Sequence, residues 1–214
     1  MNITLRQKAY HNIKHKIIYF ELKPNEKIME SKLSRMLNIG RVPVREALTM
    51  LESEGFIYKS DGYGYKISRL NDSELEDHFK IRSQLEMIGA EMLVERATGS
   101  DIKKLKKHVE KAKQIYQGND IQKIIESDTR FHDLMYLATK SDLFYRTVSI
   151  LSEKAIIMRA AAMTTLKGRN ASLKDHIEIL EAIENRDLKK LKTVLYEHLK
   201  FAPNYYESIG PLFF

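Results

Sequence analysis

Apolar residues recur at three- and four-residue intervals over most of the chain, a spacing that predicts amphipathic helices. In the first third, it predicts three short helices at about residues 10–22, 28–37 and from 41 to Gly55, with a tight connection at 38–40. Residues 56–59 and 65–70 instead alternate between apolar and polar positions, which predicts two strands joined by a turn at 61–64. Three helices followed by a hairpin indicate a winged helix-turn-helix.

The remainder of the chain, residues 71–214, carries the helical spacing with no strand signal. A capping box at 71–74 opens the first helix, and later helices are expected at about 101–117, 120–138, 142–163, 172–184 and 187–202. The stretch 167–170 is predicted to be a loop, and Pro203 is predicted to end the last helix. Six helices predict an antiparallel all-α bundle, so we expect a winged domain at 1–70 and a helical domain at 71–214.

The composition allows a buried core, because 43% of the 214 residues are hydrophobic. No apolar run approaches the ~18 residues of a membrane span, and the polar N-terminus lacks the apolar segment of a secretory signal. The chain has no cysteine, which excludes disulfides and thiolate metal sites. These features predict a cytoplasmic protein without a membrane partner.

The positive charge is concentrated in the first third. Residues 1–70 carry 13 Lys and Arg against 7 Asp and Glu, a net of +6, whereas residues 71–214 carry 23 against 22. Arg41 and Arg45 share one face at the start of the third helix, and the apolar stripe from Val44 lies on another. Arginine can take guanine O6 and N7 together or clamp a phosphate, so the pattern indicates a double-stranded DNA partner. The alternative is a solvated basic turn in some other small domain.

The same region resembles the DNA-binding domain of GntR-type bacterial transcription regulators, above all in the runs RVPVREAL at 41–48 and LESEG at 51–55. The resemblance implies a homodimer that binds a pseudo-palindromic operator. We expect the contacts with DNA to come from the second helix, the third helix and the wing tip: Ser31, Arg35, Arg41, Val42, Val44, Arg45 and Gly62. Ser31 stands where the fatty-acid-responsive branch has a further arginine, which implies a different operator.

Four residues of the helical half have the types and spacing of metal ligands. Asp128 and His132 are four residues apart and share a helix face, while His176 and His198 lie on the last two predicted helices, at about 172–184 and 187–202. Three imidazoles and one carboxylate can hold a divalent transition metal with a position left for a ligand. Each histidine alone is compatible with an ordinary core or surface position, and the spacing does not bring the helices together.

These residues also resemble the FCD effector domain of GntR regulators, in the shorter, VanR-like branch. The resemblance implies a metal held by all four residues. Imidazole-rich ligation with one carboxylate favours zinc, with nickel, manganese or iron as alternatives. It also implies a small carboxylate effector that completes the coordination. Arg82 and Arg159 are candidates to bind the effector carboxylate, although Arg82 could equally pair with Glu86 or face solvent.

We therefore expect a cytoplasmic, dimeric transcription regulator, most simply a repressor, whose operator affinity a small carboxylate controls. Two alternatives remain open from the sequence. One is a constitutive DNA-binding dimer with a purely structural metal, and the other is a metal-dependent hydrolase, for which no general base and no HExxH motif is found.

Overall fold

A computed structural model describes residues 3–68 and 72–213, without the side chains of 72–75, 153–154 and 201–213. The body of the chain divides into two compact units, residues 1–71 and residues 72–209. The first unit contains α1 (Leu5–Ile18), β1 (Lys27–Ile28), α2 (Glu30–Leu37), α3 (Arg41–Ser53), β2 (Ile57–Lys59) and β3 (Tyr65–Ile67). The second contains α4 (Asp72–Arg96), α5 (Gly99–Ile115), α6 (Ile121–Ala138), α7 (Asp142–Met163), α8 (Leu166–Glu184) and, as far as residue 209, α9 (Leu188–Phe213).

The N-terminal unit is a three-helix core closed by a small antiparallel sheet. The apolar stripe of α3 is fully buried where α3 packs against α1 and α2. Gly55, with a positive φ of 77°, follows the end of α3 as predicted. The sheet has the order β1-β3-β2, and its first strand was not predicted. Because Lys27 and Ile28 pair with β3, the second helix starts at Glu30 and not at residue 28.

The C-terminal unit consists, among its described residues, of six helices around one apolar core. Here α5 packs on α6 and α8, while α7 packs on α4, α6 and α8. Thr98 caps α5 in a capping box with Asp101. The expected capping box at 71–74 and the aromatic end of the chain lie outside the residues whose side chains are described. The described helices contain no stretch with the length and hydrophobicity that a membrane span requires.

Two predictions about this unit are wrong. Residues 167–170 are not a loop, because α8 already begins at Leu166, with Thr165 as its N-cap. Gly168 allows the backbone of Ala162 to approach closely, since an added Cβ would lie 2.0 Å from the carbonyl oxygen of Ala162. Pro203 does not end α9, which continues to Phe213. A proline removes one helical hydrogen bond, and the residues beyond it can still continue the helix.

Candidate metal centre and nucleic-acid interface

Three histidines from three helices converge inside the helical unit. His132 lies on α6, His176 on α8 and His198 on α9, and one ring nitrogen of each lies within 4.8 Å of the others. The Nε2 atoms of His132 and His198 are 3.3 Å apart. Two nitrogens on one tetrahedral zinc ion are also separated by about 3.3 Å, given zinc–nitrogen bonds of about 2.05 Å. The cluster is therefore compatible with a single shared metal ion.

The protonation state of the cluster also suits metal binding. Burial holds the pKa of both His132 and His176 well below the ordinary value, and the Arg159 guanidinium and the neighbouring imidazoles lower it further. Neutral imidazoles keep a lone pair for a metal, whereas protonated ones would repel it. The Nδ1 atom of His132 is buried and has no hydrogen-bond partner among the described residues.

Asp175 orients one of the three imidazoles and was not predicted. Its Oδ2 lies 3.1 Å from Nδ1 of His198, so Nδ1 donates to the carboxylate and Nε2 is left facing His132. A carboxylate behind a histidine is the usual way in which proteins fix the tautomer of a metal ligand. In the sequence, the only signal for Asp175 was its position directly before His176.

Asp128 lies beside the three histidines, but it does not belong to the group of residues whose donor atoms all lie within 4.8 Å of one another. Its Oδ1 accepts a hydrogen bond from Ser172 at 3.0 Å and lies 3.7 Å from Nε2 of His176. Its Oδ2 is buried without a hydrogen bond in the described part of the chain, although Nη1 of Arg159 is 3.3 Å away. We treat this last contact as charge attraction, because its angles do not suit a hydrogen bond.

The two candidate effector arginines have different surroundings. Arg82 donates from Nε to Glu86 at 2.8 Å and from Nη2 to the Tyr136 hydroxyl at 3.1 Å. Tyr136 in turn donates to Glu86, and burial raises the pKa of Tyr136 to about 12. Arg159 is only 6% exposed, and its Nε and Nη1 have no hydrogen-bond acceptor among the described residues. Arg82 is thus occupied by protein groups, while Arg159, apart from its ion contact with Asp128, retains donors that make no hydrogen bond among the described residues.

Two cavities meet at Arg159. The smaller has a volume of about 20 Å³, enough for one water, and is bordered by Asp128, His198, Arg82 and Ser172. The larger has a volume of about 240 Å³ and is walled by residues of α6 and α7 that are rich in hydroxyl groups: Thr129, His132, Asp133, Tyr136, Tyr145, Ser149, Ser152, Ile156 and Arg159. Burial also raises the pKa of the Asp133 carboxyl in this wall.

A second candidate site lies on the N-terminal unit. Arg41 and Arg45 are exposed at the start of α3, and Val42 beside them is 65% exposed. Arg35 is exposed on α2, and its Nε donates to the carbonyl oxygen of Ser31 at 3.4 Å. The side chain of Val44 is fully buried, so the expected DNA contact of this residue is left to its backbone and not to its side chain.

The wing completes this surface. Gly62 has a positive φ of 89° and open space around its Cα, and Gly64 has a φ of 101°. Tyr63, between them, is 86% exposed and was not singled out from the sequence. A cleft of about 340 Å³ separates the wing from the first turns of α2 and α3, and Glu30, Arg41, Arg45 and Tyr63 are among its walls. An aromatic residue between two glycines of a hairpin turn was the signal available.

Comparison with known proteins assigns both halves of the chain. Residues 5–67 match the family described as bacterial regulatory proteins, gntR family, and residues 77–201 match the FCD domain. YdhC, an HTH-type transcriptional regulator of Bacillus subtilis, is 25% identical over 88% of this chain and 85% of its own. The repressor RspR of Escherichia coli is 21% identical over 92% of this chain and 86% of its own.

Solved structures share the fold. McbR/YncC of E. coli superposes with a TM-score of 0.77 at 20% identity and covers 97% of this chain and 99% of its own. A GntR regulator from Rhodococcus sp. RHA1 has a TM-score of 0.77 at 17% identity, with 93% and 95% covered. At these identities the likeness concerns the fold alone, which is a winged helix-turn-helix joined to an all-α domain.

Proposed function

Because this chain belongs to the GntR family of bacterial regulatory proteins and carries an FCD domain, we propose that it is a repressor controlled by a small carboxylate. Its family membership also makes it a DNA-binding transcriptional regulator and not an enzyme. The effector would bind beside a divalent metal in the helical unit. One observation carries the proposal: three buried imidazoles converge next to Arg159, whose Nε and Nη1 lack hydrogen-bond partners among the described residues.

Residues 1–70 would form the DNA-binding domain. Arg41 and Arg45 would contact bases or the adjacent phosphates in the major groove, with support from Val42 and from Ser31 and Arg35 of α2. Gly62 would let the backbone of the wing tip approach the duplex, because nothing lies within 4 Å of its missing Cβ. Phosphate contacts by these arginines would make the affinity fall steeply with salt.

Residues 71–214 would serve effector binding and dimerisation. The helices α4 and α7 run antiparallel, as the ring of Phe144 packs at Gly89 and His78 contacts the carbonyl of Leu151. Four large apolar side chains of this pair are about half or more exposed: Ile81, Ile88, Leu143 and Ile150. An apolar face of this kind on a regulator that reads a two-fold symmetric operator supports a homodimer joined through α4 and α7.

The residues present fit a metal ion. His132, His176 and His198 would hold it, with Asp128 as the adjacent carboxylate and Asp175 fixing the ring of His198. Nitrogen-rich ligation with one carboxylate favours zinc, and nickel, manganese and iron are the alternatives to test. When bound, the metal would supply a positive centre for an effector carboxylate. The Oδ2 of Asp128 and the Nδ1 of His132 are buried without a hydrogen bond among the described residues, which supports a site that is completed by something else.

The effector carboxylate would be held by Arg159, whose free donors lie between the two cavities. A guanidinium can bind a carboxylate with two parallel hydrogen bonds. Arg82 lines the smaller cavity but is already paired with Glu86 and Tyr136, so its part would be to contribute positive charge. The larger cavity of about 240 Å³ would take the remainder of a small acid.

Control of DNA binding requires that the effector bind one arrangement of the dimer more tightly than another. A repressor that is released by its effector is the simplest form of this scheme. The rival scheme is a constitutive DNA binder with a structural metal, for which a closed and fully satisfied site would be expected. The unsatisfied atoms of Arg159, Asp128 and His132 favour the effector scheme.

The first test is elemental analysis of untagged protein, beside a variant with both His176→Ala and His198→Ala. We expect about one transition-metal ion per chain, lost in the variant. The second test measures release of selected DNA by a panel of mono-, di- and tricarboxylates. Metal content without any response to the panel would support the structural-metal scheme, and no metal after reconstitution would refute the metal centre.

A further inference from the structure

The first turn of α2 brings a carboxylate to the surface that carries the arginines. Glu30 accepts hydrogen bonds from Arg45 at 2.8 Å from Nε and 3.1 Å from Nη2. The two residues are 15 positions apart and lie on different helices. The contact therefore depends on how α2 packs against α3 and not on spacing within one helix.

Glu30 occupies only one of the two hydrogen-bonding edges of the Arg45 guanidinium. An arginine has one edge made of Nε and one Nη, and a second edge made of the two Nη atoms. Glu30 takes the first edge, while 64% of the Arg45 side chain remains exposed. The second edge retains the two parallel donors that match O6 and N7 of guanine. Arg45 can therefore stay paired with Glu30 and still offer a complete fork to a base.

Pairing also changes what Arg45 does in the absence of its base. A free arginine on a surface samples many rotamers and is attracted to any phosphate. Glu30 restricts those rotamers before DNA arrives, and its negative charge offsets the positive charge of Arg45. Hydrogen bonding from Arg45 lowers the pKa of Glu30, so the carboxylate is ionised at neutral pH. The side chain of Glu30 is 23% exposed, which limits its own contact with DNA.

We propose that Glu30 is a positioning residue of the DNA-binding surface, which fixes Arg45 for base reading and restrains it from indiscriminate phosphate binding. This inference rests on the proposed contact of Arg45 with bases. It makes a prediction that a merely structural role does not: loss of the carboxylate should weaken selection of one base and strengthen binding to arbitrary duplex.

The test uses the full chain and a library of duplexes with a randomised segment long enough for two half-sites. Wild type, Glu30→Ala, Glu30→Gln and Arg45→Ala are selected in parallel, and base preferences are compared by sequencing. Affinity for an unselected duplex is measured by fluorescence anisotropy over a range of salt. Glu46→Ala is the matched control, because it removes the same charge from the next residue of α3 but keeps the pair between Glu30 and Arg45.

We expect Arg45→Ala to lose a guanine preference at one position of each half-site. Glu30→Ala should relax the preference at that same position by at least about fivefold, the lower end of what a bidentate arginine–guanine pair contributes. It should also bind the unselected duplex more tightly than wild type and Glu46→Ala do. Glu30→Gln should be intermediate, since its amide oxygen can still accept one hydrogen bond, and it carries the test if Glu30→Ala does not fold.

Three outcomes contradict these expectations in different ways. If Arg45→Ala relaxes a position that the Glu30 variants keep, the positioning role is overturned and base reading by Arg45 stands. If the Glu30 variants relax a different position, Glu30 itself reads a base and the positioning role is again overturned. If Arg45→Ala leaves the motif unchanged, base reading by Arg45 is refuted and the inference about Glu30 falls with it.

Discussion

The carboxylate behind His198 offers a sharp test of the metal centre. Asp175 accepts a hydrogen bond from Nδ1 of His198 over 3.1 Å, and the imidazole is 8% exposed against 25% for the carboxylate. The bond fixes which nitrogen of His198 carries the proton and how the ring is turned. Replacing Asp175 therefore leaves the three proposed histidine ligands in place and changes only the orientation and basicity of one of them.

The expected loss follows from the strength of such outer partners, whose removal lowers metal affinity by about 10- to 100-fold, or about 1.4–2.7 kcal/mol. Asp175→Asn keeps an oxygen that can accept from Nδ1 and loses only the charge, so we expect about a tenfold loss. Asp175→Ala removes both the charge and the acceptor, and we expect a larger loss of up to about 100-fold.

The assay titrates Zn²⁺ into metal-stripped, untagged protein in competition with a zinc indicator of known affinity. Glu178→Gln is the control, because Glu178 lies on the same helix and pairs only loosely with Lys174, at 3.8 Å. A zinc affinity of Asp175→Ala that equals that of the control, in a variant that is folded by circular dichroism, would refute the orienting role.

Three further predictions address stability, assembly and effector response. Asp101 is held by Lys140 and Thr98, whose hydrogen bonds outweigh burial and bring its pKa from 3.8 to about 2. Asp101→Asn should therefore cost at most about 2 kcal/mol of unfolding free energy at pH 7. This difference should persist down to about pH 4 and vanish as the pH falls through about 2, measured by urea unfolding of both proteins; a difference that grows on acidification contradicts the assignment. If the chain forms the proposed homodimer through α4 and α7, Ile150→Asp should convert it to monomer in light scattering, whereas Leu166→Asp, also exposed but on α8, should leave the dimer intact. Arg159→Gln should retain zinc binding and DNA binding, but the carboxylate that releases DNA from wild type should no longer release it from the variant. If that carboxylate still releases DNA, the proposed binding of the effector by Arg159 is refuted.

Most of the fold could be predicted because local patterns specify it. The stripe from Val44 to Leu51 and the glycine after α3 are signals that depend on neighbouring residues alone, and the structure follows them. The errors arose where tertiary contacts override local preference. Gly168 resembles a helix breaker in sequence, but its lack of a Cβ permits the contact with Ala162. Two-residue β1 exists only through its pairing with β3, which no local pattern reveals.

The candidate sites were less accessible to sequence reasoning. His132, His176 and His198 were selected through resemblance, since their spacing places each on a helix but does not bring the helices together. The partners of these residues were missed for the same reason. Asp175 resembles an ordinary surface carboxylate in sequence, and Glu30 is separated from Arg45 by a turn and most of a helix. The hydrogen bonds of both carboxylates, to His198 and to Arg45, depend on how the helices pack against each other.

The distribution of unsatisfied polar atoms links the stability of the helical unit to its proposed role. Among the described residues, the buried side-chain atoms without a hydrogen bond belong to Glu86, Asp128, His132 and Arg159. Each such atom costs about 1–3 kcal/mol, so a bundle selected for stability alone would have replaced them with apolar groups. Three of these four residues border the cavities that meet at Arg159. A ligand that satisfies these atoms binds the folded state alone and must raise its stability. The same unsatisfied atoms that weaken the free protein would therefore supply the binding energy through which an effector acts on DNA affinity.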